Sequence, residues 1–225
     1  MSTLSEKTRV LLVEDHPMFR ERLAHLLNKD AGLEVCGECD NIRDAHTLIA
    51  QTRPHIAVVD ITLRGSSGLE LLKDLKAQGS ELAVLVLSMH DEALYAERVL
   101  RAGARGYITK NEASSEVMRA IRCVLAGEIY LSKNMTGKLL KKLSNGGTKS
   151  DVEKDTMSLL TDRELEVFHL IGSGRPPREI AEALSVSATT VDTYRARIKE
   201  KLGLRCGTEL HMRAVQWVVQ QSAAA

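Results

Sequence analysis

Aromatic side chains are scarce in this chain: two Phe, four Tyr and one Trp among 225 residues, or 3%. A core with so few rings has to be filled by Leu, Val, Ile and Ala, and an apolar content of 44% suffices for that. Long apolar runs are also lacking. No segment approaches the roughly 18 residues that mark a membrane-crossing helix, and the opening MSTLSEKTRV has no apolar core of a secretory signal. The expectation is a cytoplasmic protein with no membrane partner. Cysteines number four, Cys36, Cys39, Cys123 and Cys206. Cys36 and Cys39 form a C-x-x-C, but no second ligand pair of normal spacing accompanies it to complete a tetrahedral zinc site. Cys36 also ends a strand-like run rather than opening a helix, which speaks against a thioredoxin-like redox centre. The pair reads as small buried or half-buried side chains.

The length fits one large domain or two small ones. Net charge is +1, unevenly spread: residues 1–131 hold 16 Lys/Arg against 19 Asp/Glu. The stretch from Thr190 to Arg205 reverses this, with Arg195, Arg197, Lys199, Lys201 and Arg205 against Asp192 and Glu200. An acidic half and a locally basic element are therefore expected, the latter suited to phosphate.

From Arg9 to about Leu131, the apolar runs VLLVE, LEVCGE, IAVVD, LAVLVLS and GYIT alternate with amphipathic segments. In MFRERLAHLL, Phe19, Leu23, Leu26 and Leu27 recur on one helical face. Strands that are apolar throughout, alternating with helices, indicate a parallel sheet buried on both faces. The expected fold is α/β, a doubly wound five-stranded parallel sheet over residues 1–131. KNMTGKLLKKL reads as one more helix, and residues 144–158 lose periodicity and read as an exposed linker, so 132–158 connects the two halves. Residues 159–225 restart with a capping box, Thr161 with Glu164, and a hydrophobic staple, Leu160 with Leu165. Four helices are expected there, with a tight SVS turn before the third: an all-α helix-turn-helix domain.

In a doubly wound sheet, functional groups gather beyond the carboxyl ends of the strands. Here those positions hold Glu14 and Asp15, Asp60, Ser88 and Lys110. Each alone is unremarkable as a turn or surface residue; the conjunction at one sheet edge points to phosphoryl chemistry. Asp60 is the candidate nucleophile, forming an acyl phosphate. Mg²⁺ would relieve the repulsion among three carboxylates, Lys110 would take one phosphoryl oxygen as a point charge, and Ser88 would hydrogen-bond another.

VLLVEDHP, VVDITLRGSSGLELL, VLVLSMHD and GARGYITK resemble the signature segments of response-regulator receiver domains, which have a flavodoxin-like fold. LTDRELEVFHLIGSG with REIAEALSVSATTVDTYRARIKEKLG is similar to the LuxR-type DNA-binding domain. Together they resemble the NarL/FixJ subfamily of two-component regulators. That resemblance implies phosphorylation of Asp60 by a partner histidine kinase. It implies Mg²⁺ held by Asp15, Asp60 and the Thr62 backbone carbonyl, with Glu14 acting through water, and Ser88 with Tyr107 as a switch pair. One departure is Arg64, where the family usually has proline. His90 and Thr62 border the site and are expected to affect how quickly water reaches the acyl phosphate.

On the third helix of the second half, Val191, Ile198 and Leu202 mark the buried face, with Tyr194 nearby. Asp192, Thr193 and Ala196 are then placed to read bases in double-stranded DNA, and Thr190, Arg195, Arg197 and Lys199 to contact phosphate. One such module makes few phosphate contacts, so a homodimer is expected on phosphorylation. The last helix offers Met212, Val215, Trp217, Val218 and Val219 for packing and pairing. The reading is a DNA-binding transcription regulator and not a turnover enzyme, apart from catalysing its own dephosphorylation. Two alternatives stand beside it. An aspartate-nucleophile phosphohydrolase usually needs a second aspartate where Thr62 stands. A phosphate-independent regulator acting through protein contacts would leave the acidic cluster unexplained.

Overall fold

A computed structural model describes residues 7–63, 66–89, 92–133, 135–137, 157 and 159–223. It divides into two compact units, Met1–Thr136 and Gly137–Ala225.

The first unit is the doubly wound sheet. Strands β1 (Thr8–Val13), β2 (Leu33–Cys39), β3 (Ile56–Val59), β6 (Ala83–Ser88) and β7 (Gly106–Thr109) run in the order β2-β1-β3-β6-β7, every pairing parallel. Every residue of β3 and β6 is buried, as expected where helices cover both faces. Those helices are α1 (Pro17–Asn28), α2 (Ile42–Thr52), α3 (Gly68–Ala77), α4 (Glu92–Ala102) and α5 (Ser114–Leu125). On α1 the expected face is met: Leu23 and Leu27 are buried, and Phe19 and Leu26 pack against the same core. Between β3 and α3, Thr62–Leu63 (β4) and Ser66–Ser67 (β5) form a two-residue antiparallel ribbon that the sequence pattern did not announce. Arg64 lies outside the described residues.

Cys36 is half-buried and Cys39 buried, and both thiols are free. Burial first, then the negative charge of Asp44, pushes the Cys39 thiol up to about 12. It is an unreactive packing residue, as its place on a strand suggests.

After α5, Tyr130 pairs with the outer edge of β7: Tyr107 N–H donates to the Tyr130 carbonyl at 3.0 Å, and Tyr130 N–H to the Arg105 carbonyl at 3.0 Å. Ser132 follows as a helix cap, its hydroxyl accepting from Met135 N–H at 3.1 Å. The N–H of Ser132 goes to the Glu92 carboxylate of α4 at 2.8 Å. A capping box normally takes that acid from the third residue of the same helix; here a different helix supplies it. The expected helix KNMTGKLLKKL is helical at Lys133 and at 135–137, and its remainder lies outside the described residues, as do residues 144–156 of the linker.

The second unit holds α6 (Asp162–Gly172), α7 (Pro177–Ala183), α8 (Ala188–Leu202) and α9 (Gly207–Ala223). The capping box is present: Glu164 N–H donates to Thr161 Oγ1 at 3.3 Å and Thr161 N–H to Glu164 Oε2 at 2.7 Å. Leu160 and Leu165 are both buried. Ser185 turns the chain between α7 and α8 in the left-handed region, φ 53°. Trp217 is not an exposed residue of α9: its ring stacks at a tilt on Phe168, centroids 5.5 Å apart. Val215 and Val218 are half-buried, which leaves Met212 and Val219 exposed.

Lys201 ties α8 to this cap, its ammonium 2.6 Å from Glu164 Oε2. Burial alone would raise the Glu164 carboxyl, but the hydrogen bonds from Lys201 and Thr161 together hold it below its ordinary 4.5. Thr161→Ala is expected to lower the stability of this unit by about 1 kcal/mol, read as a lower urea midpoint of Trp217 fluorescence. A lowered folded-state value means that the contribution of Glu164 is present above pH 4.5 and is lost as pH falls through the folded value. The stability gap between wild type and Glu164→Gln is therefore expected to narrow on acidification below 4.5.

Candidate functional site

The backbone ladder continues one residue beyond three of the strands, at the positions that carry chemistry. Glu14 N–H donates to the Cys39 carbonyl at 2.9 Å, Asp60 N–H to Val13 at 2.9 Å and Lys110 N–H to Ser88 at 2.8 Å. These side chains leave the sheet edge from peptides as fixed as those within the strands.

Their charged ends converge. The Lys110 ammonium lies 2.7 Å from Asp60 Oδ2 and 2.5 Å from Glu14 Oε2, and all three side chains are at most 4% exposed. The ring of Phe19 closes another side, its centroid 4.7 Å from Lys110 Nζ. Burial raises the Asp60 carboxyl to about 6, with Lys110 pulling it down and Glu14 pushing it up. Thr62 N–H reaches Asp60 Oδ1 at 3.3 Å. Ser88 and Tyr107 are completely buried, Ser88 ending β6 and Tyr107 lying on β7 three residues before Lys110.

The first turn of α1 is folded back over this cluster. Pro17, at the first helical position, has a backbone angle suited to starting the helix. Glu14 Oε1 accepts from His16 N–H at 3.0 Å, and Arg20 donates to the Glu14 carbonyl at 2.5 Å. The sequence reading did not include His16, whose Nδ1 lies 2.9 Å from Asp15 Oδ1. Only the helix start, which places position 16 beside positions 14 and 15, could have signalled it.

Glu14, Asp15, His16 and Asp60 each bring one ligand atom within 4.8 Å of the others. Asp15 Oδ1 is screened from solvent, and His16 Nδ1, although 2.9 Å away, is not aligned to hydrogen-bond it. A buried carboxylate oxygen without an aligned donor, beside two further carboxylates, fits a hard divalent cation with oxygen ligands. His90 lies outside the described residues.

Gly68 was also missed. It opens α3, its N–H donating to the Ile61 carbonyl at 2.7 Å, and a Cβ placed there would overlap the Asp60 carbonyl oxygen. The helix thus passes so close to the Asp60 peptide that no side chain fits between them.

In the second unit, Asp192, Thr193, Ala196 and Arg197 are exposed on α8, while Thr190, Arg195 and Lys199 are half-buried. Val191 and Ile198 are buried, and Leu202 and Tyr194 half-buried, as expected for the opposite face. Ser187 caps the helix, accepting from Thr190 N–H at 3.1 Å. Asp192 pairs with Arg195 one turn later, at 3.2 Å.

Residues 10–122 match the family of response regulator receiver domains, and residues 158–214 that of bacterial regulatory proteins of the luxR family. The chain belongs to the NarL/FixJ-type two-component response regulators. Over 202 residues it is 33% identical to the regulator BvgA of Bordetella pertussis, which spans 90% of this chain and 94% of that one. It is 31% identical to the response regulator GacA of Pseudomonas viridiflava over 208 residues, 92% and 95% of the two chains. A crystal structure of a LuxR-family response regulator from an Aurantimonas species superposes with a TM-score of 0.57 at 30% identity, covering 62% of this chain and 99% of that one. As a response regulator, the chain pairs a receiver with a LuxR-type DNA-binding domain, and its relatives are transcription regulators of two-component systems.

Gly68→Ala is expected to destabilise the receiver by about 2 kcal/mol or more, as overpacking against backbone does, and to displace the Asp60 and Ile61 amide resonances. Urea unfolding followed by circular dichroism, with an amide correlation spectrum, checks both.

Proposed function

We propose that this response regulator accepts a phosphoryl group on Asp60 from a partner histidine kinase and thereby gains affinity for double-stranded DNA. The observation that carries this is the buried Asp60 carboxylate, held by Lys110 at 2.7 Å beside Glu14 and Asp15.

The chemistry balances with these residues. An Asp60 oxygen attacks phosphorus, a P–O bond forms and the donor's P–N bond breaks. The electron pair leaves with the imidazole nitrogen, which takes up a proton. Lys110 is close enough to move from Glu14 to a phosphoryl oxygen as the new charge arrives. Asp15, Asp60 and the Thr62 carbonyl would hold Mg²⁺, with Glu14 reaching it through water; when bound, the ion neutralises charge between the acceptor and phosphoryl oxygens. Loss of the phosphoryl group by hydrolysis at this same site completes the cycle, with Thr62 at its border. No helix among the described residues is long and apolar enough to cross a membrane, and the proposed place of action is the cytoplasm.

The switch begins at Ser88, whose hydroxyl is drawn to the phosphoryl group while the Tyr107 ring adjusts beside it. Two hydrogen bonds support an outward route. Tyr107 N–H is bonded to Tyr130, and Glu92, on the first turn after the Ser88 loop, holds Ser132 N–H at the start of the chain leaving the receiver. Phosphorylation then favours a state, already present at low population, in which the DNA-binding unit is free to pair and bind. On α9, Met212, Val215 and Val219 recur at helical spacing on one face, a stripe suited to a two-fold contact between copies.

On DNA, α8 enters the major groove. Asp192, Thr193 and Ala196 face base edges, while Thr190, Arg195, Arg197 and Lys199 reach phosphates. Without DNA, Arg195 is paired with Asp192, and it leaves that pair to reach a phosphate.

The test is fluorescence anisotropy on a DNA site obtained by selection from a random library. Phosphorylated wild type is expected to bind about tenfold or more tightly than the unmodified protein, a difference of about 1.4 kcal/mol, and Asp60→Asn to show no gain. Asp192→Lys is expected to tighten binding to all sequences and flatten the preference. Equal binding by both wild-type forms would contradict phosphorylation control.

A further inference from the structure

Phosphoryl chemistry at this site needs Lys110 in one place, yet its two carboxylate partners do not fix it there. An ammonium has three donors and no directional preference among oxygens, and Glu14 and Asp60 take two of them. The third would ordinarily go to water. Here the Lys110 side chain is 4% exposed, and the ring of Phe19 stands 4.7 Å from the nitrogen. That distance lies within the range in which a cation is attracted to the negative face of an aromatic ring, and the attraction grows when water is excluded.

Phe19 is also well anchored. It is the third residue of α1, and its side chain packs against the core that holds Leu23 and Leu27. The helix start that aims it is bound to Glu14 through His16 N–H and Arg20. The residue that orients the cation and one of the carboxylates that pair with it are therefore set by the same turn of helix.

We propose that Phe19 is a positioning residue for phosphoryl transfer, its ring face holding the Lys110 ammonium in line between Glu14 and Asp60. The role differs from packing because it depends on the electron density of the ring and not on its bulk. As the ammonium swings from Glu14 toward a phosphoryl oxygen, the ring solvates it along the path without forming a directional bond that must be broken.

This inference rests on the phosphoacceptor reading of Asp60, and the experiment separates the two. Full-length protein carrying 4-fluoro-, 3,5-difluoro- or 3,4,5-trifluorophenylalanine at position 19 keeps the shape of the ring while draining its face of charge. With Mg²⁺ and a small phosphodonor, the rate of Asp60 phosphorylation is expected to fall stepwise along the series. Phe19→Leu is expected to slow it about thirtyfold, the size of a desolvated cation–ring contact, and Phe19→Tyr to stay within about twofold of wild type. Urea midpoints are compared for every variant, so that loss of fold is not read as loss of positioning. Independently of activity, the Lys110 side-chain methylene signals are expected to be ring-current shifted in wild type and to return to ordinary values in Phe19→Leu. Equal rates across the fluorinated series overturn the proposal, as do Lys110 signals that Phe19→Leu does not move. Absence of labelling on wild-type Asp60 overturns the acceptor reading instead, and the Lys110 signals then decide the ring contact alone.

Discussion

One buried cation organises the receiver. The Lys110 ammonium sits between Glu14 and Asp60 with almost no water around it, at the point where three strands end. Removing a buried partner from such a cluster leaves a charge without compensation, which costs far more than breaking a surface pair. The cluster therefore constrains the sheet edge as much as it equips it. A carboxylate at the end of the most water-excluding strand makes physical sense because its counter-charge is delivered from the end of β7, two places along the same sheet.

The surrounding fold supplies the precision. Parallel strands buried on both faces present their carboxyl ends at one edge, and the extra ladder bonds at Glu14, Asp60 and Lys110 hold those backbones in place. Gly68 lets α3 start against the Asp60 peptide, and Pro17 starts α1 over Glu14. The segment that leaves the receiver is held in the same manner, by backbone groups bound at fixed positions. Tyr130 extends the sheet beyond β7, and Ser132 takes its acid cap from α4. The segment leaving the receiver is thus bonded to β7, which pairs with the strand ending in Ser88, and to α4, which follows it.

Much of this was legible in the sequence. Five apolar runs separated by amphipathic segments define the sheet and its layers, because burial on both faces leaves no room for polar alternation. Glu14, Asp15, Asp60 and Lys110 could be assigned to one edge because strand ends in such a sheet share an edge. Thr161 and Glu164 announced their own cap because that motif is local. What could not be read was non-local or depended on shape. Phe19 was assigned to the core face by its spacing, and nothing in a helical pattern says which cation a ring face will meet. His16 and Gly68 act through a helix start and a backbone overlap that single residues do not advertise. Glu92 and Ser132 are 40 residues apart, and no periodicity links them. Trp217 looked available for pairing because α9 is apolar on several sides, and only packing against Phe168 shows which side faces inward.

The most direct measurement is chemical identification of the phosphorylated atom. Wild-type protein is incubated with Mg²⁺ and phosphoramidate, reduced with borohydride to convert any acyl phosphate to homoserine, digested and sequenced by tandem mass spectrometry. The account predicts homoserine at position 60, dependent on Mg²⁺ and lost when Asp15 is replaced by Asn. A phosphoryl group found on any other residue, or none on Asp60 with Mg²⁺ and donor in excess, would contradict it.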